Sequence, residues 1–251
     1  MTEKISFGFD WDSQYLRGSF QNSEYFSVGG GEDFLNDCPN DDFYFSSSLF
    51  IEEEIIDGVV NKNAVRNTNA KAKYFEKLMQ GALNMLSLDH PRKIVFRRDH
   101  IELNEAPRPF LVDYLSRFEY KRSEALVRHA LIGLAVDSYA FLLLTMEKGN
   151  AWANWFKVFE SIKTEYPSPT KRKPLPNTPK TLLVDDLMRQ RFEYSANNSE
   201  VSGLEARHGR NGWAAAKTLE PLTRNDAHDL IKNLMIAYAN QKLANDVNWK
   251  L

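Results

Sequence analysis

The clearest periodic signal in the chain lies near its C-terminal end. After Ala227, the residues Leu230, Ile231, Leu234, Met235 and Tyr238 return at steps of three and one, the spacing of one face of an α-helix. Thr223 and Asp226 stand just ahead in the order of a capping box, a hydroxyl at the N-cap and a carboxylate three residues on. The pattern predicts one helix over 223–243 with its apolar stripe, Leu230 included, turned toward other helices. Residues 67–86 repeat the signature with Ala72, Phe75, Leu78, Met79, Ala82, Leu83 and Leu86.

A longer helical pattern runs over 111–147, where Leu115, Phe118, Ala125, Leu126, Ile132, Val136, Tyr139 and Leu143 share broad faces. It reads as one long helix, stopped by Gly149 and Asn150 and lying beside the 223–243 helix. A shorter helix follows over 151–163, with Trp152, Trp155, Phe156 and Phe159 on one side, and another over 181–196. Between these two fall five of the ten prolines, Pro167 to Pro179, which mark a loop over 164–180.

The N-terminal part carries a different pattern. Residues 43–51 have the aromatic and β-branched bias of a strand, and 93–103 read as two short strand-like pieces. Residues 28–42, with Gly29 to Gly31 and Pro39, read as a loop. Pro107 and Pro109 close the section. The expected fold is therefore mainly α. A helical bundle over 111–251 follows a smaller mixed α/β section over 1–110.

Composition narrows the functional classes. The one cysteine, Cys38, excludes an internal disulfide and a zinc site built on several thiolates. The most apolar run, 130–144, contains Asp137 and Ser138 and reads as a core helix, not a membrane span. The N-terminus lacks the apolar stretch of a secretory signal, so a cytoplasmic location is expected. Charge is uneven. Residues 1–57 hold thirteen acidic against two basic side chains, a balance of −11 in a chain of net charge −2, so the remainder carries +9. The basic part suits a polyanion and the acidic part a protein partner; the plainer reading is that the two complement each other within one fold.

Three acidic or histidine-bearing stretches hold side chains able to bind a metal or do chemistry. Asp33, Asp37, Asp41 and Asp42 are spaced too openly for a calcium loop and read as a solvated segment. Asp10 and Asp12 have no partner ligand nearby in sequence and read as a surface strand. Arg122 and His129 lie seven apart and can share a helix face; the plain reading of His129 is a hydrogen-bonded histidine of the bundle. No metal and no cofactor is expected.

The stretch "GLEARHGRNGW", residues 203–213, is the strongest candidate. It sets Arg207, His208, Arg210 and Asn211 close together, with Lys217 shortly after. A histidine that titrates near neutral pH can exchange a proton with a ribose hydroxyl, and an arginine can hold the phosphate as charge builds. This stretch, followed after about fifteen residues by the closing helix "TRNDAHDLIKNLMIAYANQKL", resembles the HEPN superfamily of helical-bundle proteins, which includes domains of abortive-infection systems. The resemblance covers roughly residues 111–245.

It implies RNA binding, metal-independent endoribonuclease activity, a setting in antiviral defence or stress, and a homodimer in which two bundles build one site. By that resemblance His208 matches the motif histidine and Gly209 the glycine that often follows it. Arg207 and Arg210 would serve catalysis beside His208, and Arg122, His129, Asn211 and Lys217 would contact nucleic acid. The family motif places an arginine four to six residues ahead of its histidine. Here, six intervening residues before His208, stands Val201, with Ser202 next, and no arginine occupies that spacing. The other functional class consistent with the sequence is a non-catalytic module that dimerises and binds a protein partner.

Overall fold

The computed structural model describes residues 5–9, 26–30, 43–47, 55–56, 59–89, 93–97, 125–166, 184–206 and 219–243, and among these the chain is mainly α. The strands are short. Ile5–Phe9 (β1), Phe26–Gly30 (β2), Phe43–Ser47 (β3), Ile55–Ile56 (β4), Val59–Val60 (β5) and Phe96–Arg97 (β6) form a four-stranded antiparallel sheet in the order β2-β3-β1-β6 and a β4-β5 ribbon. Val28 to Gly30, expected in a loop, are the last three residues of β2, paired with Phe43 to Phe45. Glycines are tolerated there because β2 stands at the sheet's edge. The rest of the expected loop lies outside the described residues, as do 48–51, 98–103, Pro107 and Pro109.

The first helix, Lys62–Leu86 (α1), starts five residues before the apolar periodicity does. The cause is local: Asn61 Oδ1 accepts the backbone N–H groups of Asn63 (3.2 Å) and Ala64 (3.3 Å), an N-cap that lets the helix begin ahead of its core-facing stripe. Further along α1, Glu76 Oε2 accepts the N–H of Phe96 and Gln80 Oε1 that of Ile94, both at 2.6 Å. The spacings match. Four residues of helix rise about 6 Å and two residues of extended chain about 6.6 Å, so side chains one turn apart meet N–H groups two residues apart. Phe75 and Phe96 pack beneath, ring centroids 6.4 Å apart.

The long helix expected over 111–147 is interrupted. Its described part is two helices, Ala125–Ala135 (α2) and Asp137–Glu147 (α3), that meet at Val136. Val136 donates to the Ile132 carbonyl, and its own carbonyl accepts from both Tyr139 and Ala140. The sequence explains the break: β-branched Val136 precedes Asp137 and Ser138, which favour a first turn over a helix interior. Gly149, with φ of 108°, then turns the chain at the expected stop.

Trp152–Glu165 (α4), Asp186–Asn197 (α5) and Arg224–Leu243 (α7) are the main helices of the C-terminal part, with a single turn at Ser199–Ser202 (α6) and a 3-10 turn at Gly203–Glu205. In α5, Asp185 caps the N–H groups of Leu187 and Met188, so the helix begins at 186 where the pattern suggested 181. The capping box of α7 is present: Thr223 Oγ1 accepts the Asp226 N–H at 3.1 Å and donates to its carboxylate at 2.7 Å.

The stripe of α7 buries Ala227, His228, Ile231, Leu234, Met235, Tyr238 and Ala239. Leu230 is only half-buried, and His228 takes the place in the stripe that the apolar count gave to it. The principal helix partner of α7 is α4, not the 137–147 helix. Phe192 of α5 sits among Trp152, Phe156 and Phe159, stacked almost parallel to Phe156.

The chain divides into two compact units, Met1–Ala82 with His90–Ala140, and Leu83–Asp89 with Phe141–Leu251. Two of the three boundaries fall within α1 and α3. Among the described residues no helix is long and apolar enough to cross a membrane.

Candidate functional site

Of the residues singled out by sequence, His129 alone is described; Arg122, Arg207, His208, Arg210, Asn211 and Lys217 lie outside the described residues. His129 is a core residue, 2% exposed, with Nδ1 2.6 Å from Tyr139 Oη. Burial, reinforced by the neighbouring Arg128 charge, pushes its imidazole from the ordinary 6.5 down to about 3. It is therefore neutral at physiological pH and enclosed, which is the structural role set beside the nucleic-acid one above.

The two feet of the 207–218 stretch are described, and each is held by an arginine. At the first foot, Glu205 Oε2 accepts the N–H of Trp152 at 3.1 Å. This satisfies an N-terminal donor of α4 that Ala151 cannot cap. Arg224, the first residue of α7, reaches the same carboxylate oxygen at 3.5 Å. It also donates to the Asn150 carbonyl and lies over the Trp155 ring, 5.4 Å from its centroid.

Asn150 is fixed in turn. Its Nδ2 donates to the Ser87 and Leu88 carbonyls, each at 2.9 Å. Beside it, Asn84 Nδ2 donates to the Met146 carbonyl (2.8 Å), and His228 Nε2 donates to the Asn84 carbonyl (3.0 Å).

At the second foot, Arg191 Nε donates to the Glu220 carbonyl at 2.8 Å and Nη2 to that of Pro221 at 3.3 Å. The next N–H, of Leu222, donates to Ser195 Oγ at 2.8 Å. No motif in the sequence marks Arg191, Glu205 or Arg224 as anchors. One signal was present: a cation at the first position of a helix opposes the helix dipole, and so invites the question of what holds it there.

A second polar cluster sits at the other end of α4. Tyr238 Oη and Lys242 Nζ both donate to the Glu165 carboxylate. Partial burial works against ionisation, but the hydrogen bonds from Lys242 and Tyr238 prevail and hold the carboxyl below its usual range. Nearby, Phe159, Ile162 and Leu234 floor a small groove whose rim carries Lys163 and Arg189. Glu193 engages both rim cations, Lys163 at 2.9 Å and Arg189 at 3.0 Å, so neither offers an unpaired charge.

No family model, curated protein or solved structure matches this chain.

Proposed function

We propose that the chain is an RNA-binding protein with a HEPN-like bundle, and that its 203–213 stretch is the RNA site. The observation that carries the reading is the composition of that stretch, an imidazole between two guanidiniums, in a segment whose two feet are anchored on helices. His208 exchanges the proton; Arg207 and Arg210 hold the phosphate; Asn211 and Lys217 extend the contact. The chemistry these residue types provide is metal-independent cleavage through the 2′-hydroxyl. A homodimer and a role in defence rest on the resemblance.

A binding role without cleavage is the second reading, and one observation favours it. Where the family's arginine would stand, Val201 and Ser202 occupy a helical turn, and Ser202 Oγ donates to the Asn198 carbonyl. No guanidinium is supplied from that turn.

Incubating the purified chain with labelled RNA, with and without EDTA, separates the readings. Cleavage that survives EDTA supports the nuclease. Binding with no cleavage supports the second reading. Absence of both at low salt refutes RNA as the ligand.

A further inference from the structure

We propose that the outer face of α3 pairs with the same face of a second copy of the chain, the two helices antiparallel. The inference is read from α3 itself and needs neither the RNA reading nor the resemblance; it names the face through which two copies would meet.

Asp137, Phe141, Leu144 and Lys148 follow one another at steps of four, three and four, and so fall within an arc of about 60° around the helix axis. Lys148 lies one residue past the end of α3, in its closing turn. This is the face that α3 turns to solvent. Asp137 and Lys148 are exposed, Phe141 is 55% exposed and Leu144 partly so, whereas Tyr139, Leu142, Leu143 and Met146, on the opposite side, are buried. Neither Asp137 nor Lys148 forms an ion pair among the described residues. An aspartate in the first turn and a lysine at the last are what a lone helix prefers. That preference does not account for a phenylalanine held open to water between them.

The four positions are self-complementary. Set a second α3 antiparallel to the first, about a two-fold axis midway between residues 142 and 143. Phe141 then faces Leu144 of the second copy, Asp137 faces Lys148 of the second copy, and each contact occurs twice. Sliding one helix by a turn loses the match: one way Asp137 faces Leu144, the other way Phe141 faces Lys148. A parallel pairing sets like charges against each other. A face of this length buries less than the roughly 1,200 Å² of a standard stable interface, so the dimer belongs to the weak, concentration-dependent class.

Sedimentation equilibrium over a wide range of protein concentration tests the pairing. In Asp137→Lys both charge pairs become lysine against lysine, and in Lys148→Asp both become aspartate against aspartate. Each variant alone should show a dissociation constant raised about tenfold or more. Mixed in equal amounts, the two variants regain both opposite-charge pairs in the heterodimer, so the mixture should associate as the wild type does. A mere effect of the new charges on helix stability would persist in the mixture, since each chain keeps its own altered helix. Phe141→Ala should also weaken association, with an unchanged melting temperature because the side chain is exposed.

A wild-type mass of one chain throughout overturns the proposal. So does a mixture no heavier than its components. A dimer that neither charge variant nor Phe141→Ala weakens also overturns it, and leaves a homodimer built through another face.

Discussion

The Tyr139 hydroxyl lies 2.6 Å from Nδ1 of His129, and both side chains are buried, at 0% and 2% exposure. With the imidazole as its Nε2–H tautomer, the phenol donates and Nδ1 accepts. Burial stabilises the neutral forms of both, raising the phenol as it lowers the imidazole. The unfolded chain therefore binds a proton at His129 near pH 6.5, and the folded chain does so only near pH 3. The stability this group contributes is complete above pH 6.5 and is lost as pH falls from 6.5 toward 3. Denaturant melts across this window should show that decline, and the His129→Gln variant should show a flatter one. An identical slope in both would place the acid sensitivity elsewhere.

Removing the hydroxyl alone is a separate test. Tyr139→Phe leaves Nδ1 of a buried histidine without this donor, at a cost of about 1–3 kcal/mol. Equilibrium unfolding at pH 7 reads it directly, and a loss below 0.5 kcal/mol or so would mean that another donor replaces the phenol.

The stripe of α7 makes a graded prediction. Leu234 is 5% exposed, so Leu234→Ala should cost about 2–5 kcal/mol, whereas Leu230→Ala, at a half-buried position, should cost clearly less. Thr223→Ala removes the cap at the start of the same helix and should cost about 1 kcal/mol. Thermal melts order the three, and a Leu230→Ala loss equal to that of Leu234→Ala would contradict the assigned face.

These elements also show what the sequence discloses. The start of α7 was legible to within one residue because a capping box and a 3.6-residue stripe agree, although His228 and not Leu230 is buried in that stripe. The starts of α1 and α5 were misplaced because apolar periodicity marks the buried face, while the actual N-terminus is set by a polar cap, Asn61 or Asp185, that lies outside it. The break at Val136 was hidden for a related reason: the face continues across it, and only Asp137 and Ser138 signal a new first turn. Of the candidate site, the 203–213 stretch was visible by composition. Its anchors were not, since Arg191, Glu205 and Arg224 meet their partners across sequence separations that no local pattern encodes.

Assembly follows from the resemblance and is tested simply. If two bundles build one site, light scattering should give twice the mass of the 29.0 kDa chain at micromolar concentration. A mass of one chain at all practical concentrations would remove the two-bundle site.

His208 and Arg210 can be tested directly. If Arg210 holds a phosphate, Arg210→Ala removes that contact, so binding to a short RNA should weaken and its salt slope flatten by about 0.7 for a single strand. If His208 transfers the proton, His208→Ala should leave affinity almost unchanged and abolish any cleavage, because a neutral imidazole adds little charge to the ground state. A structural role for the stretch predicts another pattern: a lower melting temperature for His208→Ala and no change of affinity in either variant. Titrating both variants against one RNA at two salt concentrations, with melts on the same preparations, distinguishes the two. Unchanged affinity in both, with a fallen melting point for His208→Ala, would make the stretch a structural tie and end the case for RNA.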